Sequence, residues 1–474
     1  MADFYARWKR LLGYEVKFST GLDENGQKMV EKAESEGKKV LEFLNEIAEG
    51  SVKTRNELQI SYTDFIRTTD KDHHAFVQSV LKKIYEKGNE TNHSEAEDIY
   101  LGEYSGLYCV GCEAFKNPRD LTTEGLCPDH LTKPEVISEK NRFFNLKKYD
   151  QFLKNFQEKN LNFVEPGHRF NEVKAFVKSG LENFSISREN QHTGIGILLP
   201  WDEEQVTYVR FDALLNYITV CYRNGENGKF WDENTEILHV LGKDIVKFHA
   251  TYRPAMLESA GFRQPDKEFV TGYLTVDGQK MGKSLGNVLD PLQIAKEYDR
   301  DALVFYLLYD VAIGLDGDFS WERFKGTWEK MLIGGRGNLV NRVASLGKKY
   351  GVVKGKFDEE RLKEFKGDVE DNQLLKFLEK GLSAGSLEDA YLNNANTKGF
   401  LEDWYRLVQL ANEYITKVEP RKKYKENPEE AKADLEFLLW VIKQLGLLSA
   451  PLLINGFAKL QKILGNEKIS QINS

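Results

Sequence analysis

Cysteine is scarce in this chain, with four residues in 474. So few cysteines do not make a disulfide framework, which excludes the small secreted scaffolds that depend on one. Long apolar runs are missing too, because the run at residues 437–442 is stopped by Lys443 and the next contains Pro451. The amino terminus lacks the basic and then apolar layout of a signal peptide. We therefore expect a cytoplasmic enzyme with no membrane partner.

The composition is that of a folded globular protein. Charged residues make up 30% of the chain, hydrophobic residues 41% and aromatic residues 12%, a balance that disordered chains do not have. A length of 474 residues suggests about two to four domains. The formal charge of −8 argues against nonspecific coating of nucleic acid. A tRNA partner stays open, since local basic stretches such as residues 421–425 exist, although such a run is usually a solvated helix end.

The order of helical and strand-like patterns predicts an α/β fold followed by an all-α bundle. The predicted helices are residues 28–49 and 72–87, and the predicted strands are residues 15–19, 207–211 and 237–241. Their alternation favours parallel βαβ units. Residues 100–178 read as an insertion that interrupts this nucleotide-binding fold. After residue 290 helical patterns continue to residue 472, which predicts a helical bundle.

Two tight pairs of metal-binding residues lie in the insertion. Cys109 and Cys112 are separated by two residues, as are Cys127 and His130. This spacing lets a knuckle turn present both donors of a pair to one tetrahedral ion, which favours Zn²⁺. Four protein ligands leave no open position, so the zinc is predicted to be structural. The alternative is a loop with metal-free thiols, and the remaining Cys221 is expected to be a buried thiol.

The most informative segment is a glycine-rich loop at residues 272–291. It places Lys280 and Lys283 beside Ser284, a layout suited to holding phosphates whose charge changes during a reaction. Alone, such a basic turn is more often a solvated surface loop. Residues 280–284, Lys-Met-Gly-Lys-Ser, resemble the KMSKS signature of class I aminoacyl-tRNA synthetases, with glycine in place of the first serine.

Further segments resemble one family of that class, the methionyl-tRNA synthetases, in the same order along nearly the whole chain. They are residues 20–26, 61–74, 108–115, 208–213 and 239–249. The resemblance implies a split Rossmann-like catalytic domain whose first strand is missing, a connective insertion with the zinc knuckle, a segment with the signature loop and stem contacts, and a helical anticodon-binding domain. The catalytic domain would be residues 1–95 and 181–270, and the connective insertion residues 96–180. The signature-loop segment would be residues 271–325, and the anticodon-binding domain residues 326–474.

The resemblance also implies the reaction and its residues. Methionine is joined to ATP, accompanied by Mg²⁺, and the aminoacyl group then passes to tRNA(Met). No covalent enzyme intermediate is needed, so catalysis consists of positioning and charge stabilisation. The implied catalytic residues are Lys280 and Lys283, and the implied ATP-binding residues are these two with Gly242, Asp244 and Ser284.

The implied methionine site has a charged end and an apolar end. Asp23 matches the acid that holds the α-ammonium, although an isolated turn aspartate is the commoner case. The side-chain pocket comprises Arg210, Ala213, Tyr217, Ile245 and His249. Apolar and aromatic surface suits a thioether, and His249 taken alone would more often be a core histidine.

The implied anticodon-reading residues are Asn338, Arg342 and Arg421. The first two lie one helical turn apart, and position 421 would stack on a base if it carried Trp. Without the resemblance, an Asn and an Arg at this spacing are an ordinary exposed helix face.

Two features depart from the family pattern. The family's first strand and its HIGH signature are missing, and a central parallel strand cannot be deleted without leaving backbone groups unpaired. We therefore expect the natural start roughly 30 residues upstream. In addition, Arg210, Arg253 and Arg421 stand where the family has Trp. Our hypothesis is that certain arginine codons are read as tryptophan, and it fails if these residues share codons with Arg67.

Two alternatives to a methionine–tRNA ligase remain at this stage. One is a catalytically impaired tRNA-binding paralogue or fragment of a synthetase, since one phosphate-binding half and several pocket residues differ. The other is a class I synthetase for another aliphatic amino acid or for cysteine. The lack of a large editing insertion and the segment at residues 108–115 disfavour this second alternative.

Overall fold

The computed structural model describes residues 1–89, 97–109, 114–116, 121–128, 131–190, 195–281, 286–311, 313–369, 372–380 and 388–464. The chain divides into two compact units. Residues 17–56 and 62–268 form one, here called the sheet unit, and residues 1–16, 57–61 and 269–474 form the other, here called the helical unit. None of the described helices is long and apolar enough to cross a membrane.

The sheet unit contains parallel and antiparallel strands. Strands β1 (Ser19–Leu22) and β2 (Asp64–Arg67) pair in parallel, and β11 (Leu238–Gly242), β12 (Lys267–Thr271) and β6 (Val164–Glu165) form a second sheet in that order. Strand β12 begins in the sheet unit and continues past its last residue. The parallel pairing in β1 and β2 fits the predicted βαβ pattern, because parallel neighbours need a crossover between them.

Two sheets between residues 99 and 207, partly within the predicted insertion, are antiparallel. Strands β4 (Ala114–Lys116), β3 (Ile99–Cys109), β5 (Glu135–Phe144) and β7 (Phe184–Ser185) are neighbours in that order. A second antiparallel sheet has the order β8 (Ser187–Glu189), β10 (Asp202–Thr207) and β9 (Leu198–Leu199).

Helices of the sheet unit cover its strands and bury one apolar core. They are Gln27–Ser35, Val40–Glu57, Lys71–Asn89, Asp150–Lys159, Gly167–Lys178, Val209–Asp212, Asn216–Tyr222 and Arg253–Ala260, with shorter 3₁₀ or π segments at Leu146–Tyr149, Ala213–Leu215, Arg223–Gly225 and Phe248–Tyr252. Their buried faces supply Val77, Leu81, Leu153 and Ile218 to this core.

The helical unit carries one small sheet and long helices. Its strands are β14 (Gln279–Lys280), β13 (Leu274–Val276) and β15 (Gly317–Phe319), in that order. Its helices are Ala2–Leu11, Pro291–Tyr298, Arg300–Asp310, Trp321–Thr327, Asn338–Tyr350, Glu359–Lys366, Gln373–Lys380, Thr397–Lys417, Pro420–Glu426, Pro428–Ser449 and Ile454–Ile463, with π segments at Trp328–Gly337 and Glu388–Leu392. Local sequence sets several ends: Asp290 caps a helix that begins with Pro291, and Gly351 ends another at φ 74°.

The structure corrects three predicted elements. The first strand is Ser19–Leu22, so residues 15–18 lie before it. The predicted helix at residues 28–49 is two helices, separated near Gly37, which adopts φ 67°. The predicted strand at residues 207–211 is wrong, because β10 ends at Thr207 and a short helix begins at Val209. The predictions for 72–87, for 237–241 and for the later helices are confirmed within a few residues.

Candidate active site and RNA-binding groove

Tyr217 and His249 form the centre of the predicted methionine pocket. The two side chains are hydrogen-bonded, with 2.8 Å between Tyr217 Oη and His249 Nε2, and His249 Nδ1 lies 3.0 Å from the carbonyl oxygen of Ile245. A carbonyl only accepts, so Nδ1 carries the ring proton. Burial lowers the pKa of His249 to about 3, so Nε2 is unprotonated and Tyr217 donates to it. Both ring nitrogens are thus occupied, and His249 presents a neutral ring to the pocket.

Asp23 supplies negative charge near this pocket. Its side chain is exposed, after strand β1. Burial raises the pKa of Tyr217 to about 12, with Arg253 opposing and Glu268 and Asp23 adding to the rise. The charge of Asp23 therefore acts on Tyr217, the predicted pocket tyrosine, although it is the smallest of these influences on that group.

Arg253 is fully buried and its charge is paired. Its Nη2 donates to Glu268 Oε1, and its Nη1 donates to His239 Nδ1. Its guanidinium also lies 5.4 Å from the centre of the Tyr217 ring. Burial lowers the pKa of Arg253 and raises that of Glu268 to about 7. Arg253 and Glu268 thus form a buried ion pair next to Tyr217, the predicted pocket residue, and Glu268 is a partner that the sequence did not indicate.

Arg210 lies against aromatic rings instead. Its guanidinium is 4.3 Å from the centre of the Phe248 ring and 5.9 Å from that of Tyr208. Stacking of this kind lets a cation cover apolar surface while it stays partly hydrated. The half-buried Ala213 follows in the next turn, and Ile245 remains 36% exposed.

The predicted adenosine residues lie in the turn after strand β11. Gly242 ends the strand, and a Cβ at this position would lie 2.7 Å from Asp244 Oδ1. Asp244 is exposed. Because Gly242 has no side chain, the Asp244 carboxylate can lie next to the end of strand β11. Ligands of open α/β sheets bind at the ends of strands.

The signature loop begins with a hairpin. Strands β13 and β14 are antiparallel, with Thr275 opposite Lys280. Asp277 and Gly278 connect them with φ of 49° and 75°, the pattern of a tight hairpin turn. Asp318 accepts hydrogen bonds from Gly278 N at 2.7 Å and Thr275 Oγ1 at 2.8 Å, and these bonds lower its pKa. Asp318, which the sequence did not indicate, anchors the loop.

Parts of two predicted sites lie outside the described residues. Lys283 and Ser284 do so, as do Cys112 and His130, and only the backbone of Lys280 is described. Cys109 and Cys127 are buried. The described part of the chain contains no group of three or more His, Cys, Asp or Glu side chains that could hold a metal, and it includes only two of the four predicted zinc ligands.

A groove of about 730 Å³ opens in the helical unit. Its lining includes Asn338 and Arg342 from the helix Asn338–Tyr350, together with Lys330, Gly334, Gly335, Tyr405, Val408, Gln409, Asn412, Glu413, Thr416 and Lys417. Arg342 Nη2 donates to Thr416 Oγ1 at 3.2 Å. Arg421 is exposed on the helix Pro420–Glu426 and is not one of the lining residues. Two of the three predicted anticodon residues, Asn338 and Arg342, thus line one groove. The helix Thr397–Lys417 forms the opposite wall, a role that the sequence did not indicate.

One protein family matches this chain, and its members align with nearly the whole sequence. The family model described as "tRNA synthetases class I (M)" matches residues 1–133 and 129–344. A methionine–tRNA ligase from Nostoc sp. is 38% identical over 98% of this chain and 85% of the relative. The chain belongs to the methionyl-tRNA synthetase family, the methionine–tRNA ligases of class I.

Other members of the family support this assignment. A methionine–tRNA ligase from Synechocystis sp. is 37% identical over 98% of this chain and 85% of its own length. The solved structure of Mycobacterium tuberculosis methionyl-tRNA synthetase in complex with methionyl-adenylate superimposes with a TM-score of 0.85 at 29% identity, covering 98% of this chain and 91% of that chain. The predicted fold class, a Rossmann-like α/β part followed by a helical part, is confirmed.

Proposed function

We propose that this chain activates L-methionine with ATP and Mg²⁺ and transfers it to tRNA(Met) with the residues identified above. The observation that carries the proposal is the neutral Tyr217 and His249 pair beside the charge of Asp23. A neutral, internally bonded wall suits a thioether, and a carboxylate suits the ammonium. Arg210, Ala213 and Ile245 complete the pocket in this proposal.

Lys280 and Lys283 would neutralise charge on the phosphates as the methionine carboxylate attacks. Preorganised donors of this kind contribute several kcal/mol to transition-state stabilisation. Gly242, Asp244 and Ser284 would hold the rest of ATP. The hairpin of strands β13 and β14, whose turn is hydrogen-bonded to Asp318, supports this role because it sets the backbone direction at Lys280.

The groove in the helical unit is our candidate for the anticodon. Exposed Lys330 and Lys417 line it; Lys417 is paired with Glu364 at 3.0 Å, and Glu413 is paired with Arg406 at 2.9 Å. Side-chain amides and an aromatic ring beside cations suit unstacked bases and their phosphates. Arg421 would act from outside the groove, on a neighbouring nucleotide.

Zinc would have a structural role in the insertion. Cys109 and Cys127 are buried, and Gly125 adopts φ 75° in a turn where Gly125 N donates to Thr122 O at 2.9 Å. Such tight turns let neighbouring thiolates reach one ion. We propose Zn²⁺ held by Cys109, Cys112, Cys127 and His130, and the cytoplasm as the place of action.

Methionine-dependent exchange of pyrophosphate into ATP tests the proposal. We expect exchange with L-methionine, none with L-leucine or L-cysteine, and a loss of about 10²-fold or more in Lys283→Ala. Lys363→Ala, an exposed lysine of the helical unit, is the matched control and should retain full exchange.

The alternative of an impaired paralogue predicts a different result. It would bind tRNA(Met) in a gel-shift assay and give no exchange, including in a version extended upstream of Met1. Exchange with an amino acid other than methionine would instead point to a different class I synthetase.

A further inference from the structure

Asp212 and Asn25 form a buried polar pair beside the proposed ammonium site. Asp212 is fully buried and Asn25 is 4% exposed. Asn25 Nδ2 donates to Asp212 Oδ2 at 2.6 Å and to the carbonyl oxygen of Thr68 at 3.2 Å. Asp212 Oδ1 accepts from the backbone N–H of Ala213 at 2.9 Å. Both amide hydrogens of Asn25 are therefore used, and the amide is held in one orientation.

The remaining polar atom of Asn25 has no partner. Its Oδ1 is buried and accepts no hydrogen bond from any residue that the structure describes. A buried acceptor without a donor costs about 1–3 kcal/mol. A donor that arrives with a ligand is one explanation for such an atom, and an ordered water is the other.

Negative charge is concentrated around the same pair. The groups that act on Asp212 are the Asp23 carboxylate, the Asn25 amide and the backbone N–H groups of residues 212 and 213. Burial, followed by repulsion from Asp23, raises the pKa of Asp212 well above its usual value. Two carboxyl groups that repel each other in a partly buried place attract a cation or hold a proton.

We propose that Asn25 and Asp212 belong to the ammonium subsite: Asp212 fixes the amide of Asn25 so that its Oδ1 accepts from the ammonium of the amino acid, beside Asp23. This inference rests on the proposed function. The ammonium has three N–H donors, so Asp23 and Asn25 can each take one. Asp212 is a positioning residue, because it acts through Asn25 and through its charge. Since the bound ammonium supplies positive charge, a proton held by the two acids leaves when methionine binds.

Calorimetry on the full chain tests this at pH 7 in two buffers with different ionisation enthalpies, which gives the number of protons released. The probes are L-methionine and 4-(methylthio)butanoate, which lacks the ammonium. We expect release of up to about one proton with L-methionine and none with the second probe. Asn25→Leu should weaken the binding of L-methionine about tenfold, as expected for the loss of one hydrogen bond to a charged group. It should leave the affinity for the second probe unchanged. Asp212→Asn should do the same and abolish the proton release.

The matched control is Asp98→Asn in the same unit. Asp98 is also buried and bonded, to Lys148 at 2.6 Å and Ser259 at 2.8 Å, and its variant should keep both affinities and the proton release. Equal weakening of both probes by Asn25→Leu and Asp212→Asn would overturn the inference, since that is the result of a purely structural role. Methionine binding without proton release, with Asn25→Leu unaffected, would overturn it as well and leave the proposed function intact. Failure of the wild-type chain to bind either probe would overturn both.

A ligand-free measurement covers the case in which Asp212→Asn does not fold. In wild-type chain labelled with ¹³C at the aspartate carboxyl carbons, burial should raise the pKa of Asp212 and of Asp301, and Asp23→Asn should lower the pKa of Asp212 alone. Titration of every aspartate within the ordinary range would contradict the coupling on which the inference depends.

Discussion

In the proposed methionine pocket of the sheet unit, two polar side chains are buried and bonded to neighbours, whereas in the groove of the helical unit two others lie exposed. His249 and Glu268 are buried with their partners. Asn338 and Lys417 are exposed. A small apolar ligand is selected by surfaces whose polar atoms are already satisfied, because an unpaired one would favour water or a polar competitor. RNA is bound by donors and charges that water can reach, at the cost of sensitivity to salt.

The largest expected effect comes from opening the buried ion pair. Arg253→Met leaves Glu268 buried and unpaired, and we expect a loss of about 3–5 kcal/mol in the free energy of unfolding, measured with urea. The double variant Arg253→Met with Glu268→Leu should recover most of that loss.

An exposed pair gives the matched control. Lys363 and Glu359 lie 2.8 Å apart with both side chains 72% exposed, and Lys363→Met should leave stability unchanged within error. Equal losses in Arg253→Met and Lys363→Met would contradict the contrast between buried and exposed charges.

The second effect is a loss of stability in acid. The unfolded chain protonates His249 near its ordinary pKa of about 6.5, while burial keeps the folded pKa at about 3. The unfolded state thus binds more protons, so stability falls as the pH drops below about 6.5 and continues to fall towards 3, by about 2 kcal/mol for this residue at pH 5. Urea unfolding at several pH values should show a smaller slope in His249→Leu. An unchanged slope would mean that His249 is not held neutral.

The third effect concerns the hydroxyl that completes the pocket wall. Tyr217→Phe leaves His249 Nε2 buried without its donor, and we expect the KM for methionine in the exchange reaction to rise about tenfold. Tyr62, whose hydroxyl donates to Asn56 Oδ1 at 2.9 Å in an exposed place, is the control, and Tyr62→Phe should not change KM. A Tyr217→Phe enzyme with wild-type KM would show that the bond does not shape the pocket.

The fourth effect is expected in the groove. If Arg342 contacts a base, Arg342→Ala should weaken tRNA(Met) binding by about 1–3 kcal/mol. If it contacts only a phosphate, the slope of the logarithm of the binding constant against the logarithm of the salt concentration should fall in magnitude by about one. A gel-shift titration at several salt concentrations separates these cases, and methionine-dependent exchange should not change. Reduced exchange in Arg342→Ala, or unchanged tRNA binding, would argue against the groove as an RNA site.

Much of the fold was readable before the structure, and the exceptions have identifiable causes. The helix at Lys71–Asn89 and strand β11 follow from periodicity, because each buries one regular face. The predicted strand at residues 207–211 failed because Val209 and Phe211 flank Arg210 in the alternation of a half-buried strand, and so short a pattern does not separate a helix from a strand. The predicted long helix at 28–49 failed at Gly37, whose positive φ ends a helix.

The candidate site could be predicted only where sequence neighbours or the family resemblance supplied its members, and their roles stay predictions. Tyr217, Ile245 and His249 were named in advance, and the structure joins them by two hydrogen bonds. Glu268 was not named, because the strand that carries it meets Arg253 only after folding. Asn412 and Tyr405 of the groove were missed for the same reason.

The sequence by itself determined the family, most of the order of the elements and the residues that we propose for phosphate, methionine and anticodon. Those properties depend on short motifs and local periodicity, which are written along the chain. The tertiary structure decided which polar atoms are paired, and therefore that His249 is neutral, that Arg253 is balanced by Glu268, and that Asn25 keeps an acceptor without a donor among the described residues. Protonation and pairing depend on burial and on distances of a few ångströms between residues far apart in sequence, and only the folded chain fixes those.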